Sequence, residues 1–286
     1  MTISCDDNVL TGHTDITDEE LAEVGTILSM WRNFNMSAYK DKCMKRRVAI
    51  RIRLTSSRDV SEYCHLLRHN EHELDMLQKA LTIHVSQFFR NPSMFNKLRT
   101  QVFPELFTSC IKDGSGLMRI VSLGCAGGEE PYSLAILLRE YFSTEMRSVR
   151  VSIQGIDVDG EILGTAQQAD YAEDHIKEVP AALKDRYFRQ DGLRFRLVPE
   201  LREMVSFRQS NISDTAEYGP AHLAICRNTL IYFARPDQEK ILHGIAEMLP
   251  EDGIMVLGKS ETLVGDVRRR FSPVCPVERI YRKLKT

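Results

Sequence analysis

The stretch Ile120-Val-Ser-Leu-Gly-Cys-Ala-Gly-Gly-Glu-Glu-Pro-Tyr-Ser-Leu-Ala-Ile-Leu-Leu138 narrows the folds open to this chain more than any other. Its apolar start, Ile120 to Leu123, reads as a buried strand. Gly124, Gly127 and Gly128 read as a tight turn, and Ser133 to Leu138 as the opening of an apolar helix. Glycine lets a backbone approach a ligand closely, and the start of a helix offers unpaired N–H groups. The next strand-like run, Val149 to Ile156, ends in Asp157-Val-Asp159. A doubly wound α/β sheet places there the acid that holds ribose hydroxyls. A turn that binds nothing is the plainer reading of the loop taken alone.

The loop is not the dinucleotide fingerprint. Its pattern is Gly-Cys-Ala-Gly-Gly, followed at once by Glu129 and Glu130. Two carboxylates would repel a pyrophosphate, but they suit a cofactor that lacks phosphate and carries positive charge. S-adenosylmethionine, with its sulfonium and amino groups, has both properties.

The whole chain fits that reading. At 286 residues it allows one large domain or two, and 43% hydrophobic with 27% charged residues describes an ordinary soluble protein. A net charge of −2 argues against a nucleic-acid partner. No apolar run approaches a membrane span, and Met1 to Asp7 lacks the regions of a signal peptide. The seven scattered cysteines form no Cys-x-x-Cys pair, so reduced thiols in a cytoplasm are expected.

Charge is segregated in the first third. Asp6, Asp7, Asp15, Asp18, Glu19, Glu20 and Glu23 precede any basic residue. Thr17-Asp-Glu-Glu20 has the form of a capping box for a helix running to Trp31. From Arg32 to Arg68, ten basic residues face three acids. Met36 to Leu54 is predicted as one helix, with Met36, Tyr39, Cys43, Ile50 and Leu54 along its apolar stripe. Lys42, Lys45, Arg46 and Arg53 gather on an adjacent face, which reads as a docking surface for an acidic partner or as an ordinary solvated face. A helix from Asp59 to Leu67 completes a small bundle. His65, His69 and His72 have the spacing of one helix face and read as surface residues rather than metal ligands.

Further on, Phe88, Phe89 and Phe95 are expected to pack in the seam between the bundle and the next domain, with Arg90 among them. Glu161 to Tyr171 is predicted as a helix with Ile162, Leu163 and Ala166 inward. Arg186 to Val198 reads as a hairpin about Asp191-Gly192, with Leu193, Phe195 and Leu197 on one side and Met204 to Ser210 as a third strand. Leu223 to Cys226 is a buried strand with Arg227-Asn228 at its carboxyl end. Gln238 to Met248 is predicted as a helix, and Gly253 to Gly258 and Arg279 to Arg282 as terminal strands.

Ser86-Gln-Phe-Phe-Arg90, Gly128-Glu-Glu-Pro-Tyr-Ser133, Gly155-Ile-Asp-Val-Asp159 and Cys226-Arg-Asn-Thr-Leu-Ile-Tyr-Phe233 occur in that order. Together they resemble the chemotaxis receptor protein-glutamate O-methyltransferases, the CheR family. Tyr39-Lys40, Arg46-Arg47 and Arg51 are similar to that family's N-terminal helical domain. The resemblance implies an α/β fold: a Rossmann-like class I S-adenosylmethionine-dependent methyltransferase domain at 80–286, with a small antiparallel β subdomain inserted at about 187–210. A small all-α receptor-recognition domain at 14–79 precedes it. It implies cofactor contacts from His84, Ser86, Arg90, Gly124, Glu130, Asp157, Asn211, Ile212, Arg227 and Asn228. Among these, Asp157 takes the ribose, Glu130 the methionine end, and Asn211-Ile212 the adenine side. Arg90 and Tyr232 orient the substrate carboxylate, while Lys42, Lys45, Arg46 and Arg53 dock the receptor.

The implied reaction methylates glutamates on the cytoplasmic domains of methyl-accepting chemotaxis proteins, leaving S-adenosylhomocysteine. A cytoplasmic monomer without membrane insertion is expected. The chain departs from the family pattern at His84 (usually Asn), His222 (usually Asp), Lys259 (usually His) and Ser122 to Cys125. Some family members grip a receptor-tail peptide with a longer, glycine-rich loop of the β subdomain, and the short Asp191-Gly192 turn argues against such a tether here. Two rival readings stay open at this point: a cofactor-binding signalling module with little turnover, and a methyltransferase for another substrate.

Overall fold

The first helix starts where the sequence places its cap. Thr17 Oγ1 accepts from the Glu20 N–H at 3.2 Å, and Glu20 returns a carboxylate oxygen to the Thr17 N–H at 2.8 Å. The computed structural model describes residues 16–32, 34–82 and 86–285, so Asp6, Asp7, Asp15 and His84 lie outside the described residues. The chain divides into two units, residues 1–83 and 84–286.

Among the described residues the first unit holds four α-helices: α1 (Asp18–Arg32), α2 (Asp41–Leu54), α3 (Val60–His69) and α4 (Glu71–Leu81). The helix predicted from Met36 begins only at Asp41, because Met36–Ala38 form a separate 3-10 turn capped by Asn35. Met36 and Tyr39 are buried but lie off the helix, so counting the apolar stripe from them rotates it. The face of α2 that enters the core is Met44, Val48 and Ile52, while Ile50 and Leu54 are 40% and 67% exposed. The sequence reading also misses α4, which Asn70 starts by accepting the Glu73 N–H. That break puts His72 on a different helix from His65 and His69, so the three share no single face.

A buried polar cluster ties α2, α3 and α4 together. Arg51 makes two bonds to the Glu73 carboxylate, at 2.9 and 2.5 Å, and the Tyr63 hydroxyl donates to it at 2.7 Å. Arg47 reaches the Leu81 carbonyl at the end of α4. Two members of the basic run are therefore framework rather than free surface.

The second unit begins with α5 (Pro92–Lys97), a π-helical turn and α6 (Phe103–Lys112), which lead into β1 (Leu117–Leu123). Then follow α7 (Glu129–Tyr141), β2 (Arg150–Asp157), α8 (Gly160–Gln168), β3 (Asp170–Ala172), α9 (Glu173–Ile176) and α10 (Ala181–Tyr187). The hairpin β4 (Phe188–Asp191) and β5 (Arg194–Leu197) precedes α11 (Pro199–Arg202) and β6 (Val205–Gln209). The chain closes with β7 (Leu223–Cys226), α12 (Arg235–Met248), β8 (Ile254–Leu257), β9 (Phe271–Cys275) and β10 (Ile280–Lys283). The main sheet has the order β6-β2-β1-β7-β8-β10-β9. Its first five strands are parallel, and β10 runs antiparallel to both neighbours. This is the Rossmann-like α/β arrangement, and its strand order reverses between β1 and β7. The crevice at the carboxyl ends of those two strands is the position open α/β sheets use for ligands.

The small sheet differs from the expectation. Its order is β3-β5-β4, and Met204 to Ser210 supplies β6 at the edge of the main sheet instead. Its third strand comes from the end of the predicted Glu161–Tyr171 helix. There α8 stops at Gln168, Ala169 turns left-handed (φ 52°) and Tyr171 enters the core. Asp191 pairs with Arg194, so the hairpin turn is Gly192-Leu193, with positive φ at Gly192 alone. Leu193 consequently points outward, 88% exposed, while Phe195 and Leu197 are buried. Helix α7 starts at Glu129, four residues before the predicted apolar segment. Phe88, expected in a seam, packs edge-on against Tyr171 and Phe188, and Phe89 against Phe95, all within this unit's core. No helix among the described residues is long and apolar enough to cross a membrane.

The buried cluster on α2 to α4 yields a stability test. Glu73→Ala would leave Arg51 and the Tyr63 hydroxyl without their acceptor, a change worth about 3 kcal/mol for a buried pair broken on one side. Trp31, the one tryptophan of the chain, lies on α1 and reports on this unit. Its fluorescence transition in urea should move to lower denaturant in Glu73→Ala. It should move much less in Glu62→Ala, which removes only exposed bonds to the Arg58 guanidinium and N–H.

Candidate active site

The glycine turn after β1 is shaped by close approach. Gly124 has φ 73°, and a side chain there would meet Thr229 Oγ1 at 2.4 Å. Gly128 has φ 85°, and its Cβ would stand 2.9 Å from the Phe207 ring. Between them Ala126 is held left-handed (φ 49°), and its N–H donates to Asp157 at 2.9 Å. The other Asp157 oxygen accepts from the Asp159 N–H at 3.1 Å. Asp157 is 6% exposed at the end of β2, so its carboxylate both braces the glycine turn and opens the acidic end of the crevice.

Arg227 follows β7 and joins three segments distant in sequence. Its guanidinium donates to Glu130 at 2.9 Å, to the Arg90 carbonyl at 3.0 Å and to Asn91 Oδ1 at 2.5 Å. Glu130 is also bonded by the Ser122 hydroxyl at 2.8 Å. Only 4% of the Arg227 side chain is exposed, so each of these acceptors offsets desolvation of the charge. Arg90, Glu130 and Arg227 are thereby brought to one place.

The loop after Arg227 is pinned by a residue the sequence reading passed over. The buried carboxylate of Glu261 accepts the N–H groups of Gly258 (2.6 Å), Thr229 (2.8 Å) and Asn228 (3.0 Å). Burial pushes the Glu261 carboxyl above its usual range, against the lowering effect of those N–H groups. Asn228 is held at φ 57°, and Tyr232 ends the short 3-10 turn Leu230–Tyr232 as a half-buried side chain. The signal for Glu261 was present: Gly258-Lys-Ser-Glu261 puts an acid on a turn just after a buried strand, as in the case of Asp157.

The far wall begins where β6 ends. Ser210 donates its N–H to the Asp157 carbonyl, which sets Asn211-Ile212 beside the end of β2. Ile212 is 5% exposed, Asn211 Oδ1 accepts the Ser213 N–H, and the buried Ser213 hydroxyl has no partner among the described residues. Ser86 is half-buried just ahead of the Phe88–Arg90 turn. A second pair omitted from the sequence reading stands behind the glycine turn, where His175 Nδ1 lies 2.6 Å from Glu129 Oε1.

Two residues expected to depart from the family pattern have partners outside the proposed cofactor contacts. His222 stands ahead of the amino end of β7, its Nδ1 accepting the Arg119 N–H, and burial lowers its pKa. Lys259 pairs with Glu278 at 3.5 Å. In the helical unit, Lys42, Arg46 and Arg53 are exposed along α2, and Lys45 is half-buried and paired with Asp18 at 2.6 Å.

The residues fit S-adenosylmethionine. The glycine cradle would be filled by any Cβ, carboxylates stand at both ends of the turn, and Ser213 offers an unused hydroxyl. No phosphate-binding arrangement is needed.

Comparison with known proteins agrees with this geometry. Residues 19–82 match the family model described as CheR methyltransferase, all-alpha domain, and residues 84–277 match CheR methyltransferase, SAM binding domain. A chemotaxis protein methyltransferase of Borreliella burgdorferi is 29% identical over 88% of this chain and 91% of its own length. Chemotaxis protein methyltransferase 2 of Vibrio cholerae is 31% identical over 83% of this chain and 81% of its own. An uncharacterized 104.1 kDa protein of Rhodobacter capsulatus is 31% identical over 98% of this chain, which spans 29% of that longer relative. The chain belongs to the CheR methyltransferase family, S-adenosylmethionine-dependent enzymes with an all-α domain ahead of the cofactor-binding domain.

Proposed function

We propose that this chain is a cytoplasmic protein-glutamate O-methyltransferase that forms methyl esters on the glutamates of chemoreceptor cytoplasmic domains. The observation that carries the proposal is the convergence on Arg227. One buried guanidinium gathers the Arg90 turn and Glu130, the pieces needed to hold a cationic donor beside an anionic acceptor. The relatives named as chemotaxis methyltransferases support the choice of substrate.

S-adenosylmethionine, when bound, supplies an electrophilic methyl group. Asp157 is assigned to the ribose hydroxyls, Glu130 to the methionine end, Asn211 and Ile212 to the adenine side. Ser86, Gly124, Arg227 and Asn228 complete the cradle. Arg90 and Tyr232 orient the incoming carboxylate. A free glutamate has a pKa of about 4.3, so roughly one in 500 is protonated at pH 7. The nucleophile is ready without a base, and the work left to the protein is alignment and removal of water. The test is transfer of labelled methyl to receptor-bearing membranes from the chain's own organism. Base-labile label, released as methanol, is expected, and absence of incorporation refutes the proposal.

Three further outcomes follow from these assignments. Asp157→Ala should weaken S-adenosylhomocysteine binding by about 1.5–3 kcal/mol, the range for hydrogen bonds to a charged group, as read by calorimetry. Unchanged affinity removes Asp157 from the site.

Charge reversal at Arg46 and Arg53 should raise the receptor KM by about tenfold with little change in kcat. The parent's receptor KM should also rise with salt, because exposed charges are screened over about 8 Å at physiological ionic strength.

The tail peptide is the third case. The turn Gly192-Leu193 leaves β4 and β5 without a long loop. Receptor C-terminal peptides should therefore bind more weakly than about 100 μM. Low-micromolar binding mapped to residues 188–209 would mean that an edge strand alone suffices to hold the tail.

A further inference from the structure

Arg90 sits in a turn held against its own preference. Phe89 before it has φ 53° and Asn91 after it φ 65°. A bulky side chain disfavours that region, and such a conformation persists only where the surroundings over-determine it. The surroundings here form a closed ring of hydrogen bonds. The Phe88 N–H donates to the His175 carbonyl at 2.8 Å. His175 Nδ1 meets Glu129 Oε1 at 2.6 Å. The Glu129 carbonyl accepts the Ser133 hydroxyl at 2.6 Å, and Ser133 Oγ accepts the Phe89 N–H at 2.8 Å.

We infer that His175 is a positioning residue, whose ring clamps Glu129 while its carbonyl clamps Phe88, fixing the Arg90 turn against the start of α7. The inference rests on the reading of Arg90 as the group that orients the substrate. Glu129 is 1% exposed, and its Oε2 has no partner among the described residues. His175 is thus the side chain that satisfies this buried carboxylate. Removing the ring strands Glu129 and opens one side of the ring of bonds.

Three groups besides Glu129 face His175: Asp174 on its own helix, Arg194 from β5 and the Tyr171 ring from β3 at 6.0 Å. The bond to Glu129 is the largest influence and raises the imidazole pKa, with burial opposing it. The sign follows from that direction. The ion-pair contribution is fully present below the ordinary histidine value of about 6.5 and is lost as pH rises through the raised value. Above it, a neutral ring with a proton on Nδ1 keeps the hydrogen bond without the charge.

The experiment is amide hydrogen exchange on the full chain, comparing the parent with His175→Ala and His175→Asn. In His175→Ala the Phe88 and Phe89 amides should exchange about tenfold faster, with β7 and β8 unchanged. His175→Asn places an uncharged N–H near the position of Nδ1 and should restore most of the protection. The parent's protection at these two amides, corrected for intrinsic rates, should step down as pH rises through the raised His175 pKa, above the ordinary histidine value of about 6.5, and His175→Asn should show no step. That second arm stands even if the alanine variant does not fold. Unchanged exchange at Phe88 and Phe89, acceleration spread evenly over β7 and β8, or the same pH step in His175→Asn would each overturn the inference. Exchange is read without receptor or methyl donor. A parent that fails to methylate receptors would therefore end the proposed function and leave this result standing.

Discussion

The site depends on one buried cation. Arg227 leaves water almost completely, and an unpaired guanidinium there would be strongly destabilising. Its three acceptors come from two segments distant in sequence: Glu130 after β1, and the adjacent Arg90 and Asn91 ahead of α5. A group that must be satisfied in this way acts as a geometric constraint. It forces loops that share no local sequence preference into one arrangement, and the planar, many-donor guanidinium does this where a lysine would supply only a point charge. Left-handed residues recur in the loops around it. Phe89 and Asn91 flank Arg90, whose carbonyl Arg227 holds, while Ala126 is bonded to Asp157 and Asn228 to Glu261.

Much of this was legible in the sequence because it is local. The strand, glycine turn and Asp157 follow from periodicity and the conformational freedom of glycine. The hydrogen bonds of Asp157 to the turn then account for the acid standing where it does. The capping box at Thr17 and Glu20 was readable for a similar reason, since both partners sit within one helical turn. His222 and Lys259 looked significant in the sequence, and the fold gives each a partner: His222 bonds Arg119 beside the amino end of β7, and Lys259 pairs with Glu278 just past the carboxyl end of β8.

What was not legible was long-range. The sequence marks Glu261 as an acid after a strand, but nothing nearby reveals that it will cap the loop carrying Asn228 and Thr229. Tyr171 reads as helical until the core demands it beside Phe88, and tertiary packing then ends α8 at Gln168. The α2 stripe failed because two buried residues, Met36 and Tyr39, precede the helix and suggest a false phase. The position of β6 was invisible locally, since an alternating run suits a small antiparallel sheet as well as the edge of a parallel one.

The dependence of the Asn228 loop on Glu261 has a consequence for the order in which the protein comes into being. Chains emerge from the ribosome amino end first, at about 5–20 residues per second, and domains fold as units. The glycine turn and Asp157 emerge early, but Asn228 and Thr229 have no acceptor for their N–H groups until residue 261 has left the tunnel. A nascent chain that stops short of β8 holds half a pocket with its loop unbraced. Premature termination before Glu261 therefore leaves the Asn228 and Thr229 N–H groups without this acceptor, and the loop is braced only once residue 261 has joined the fold.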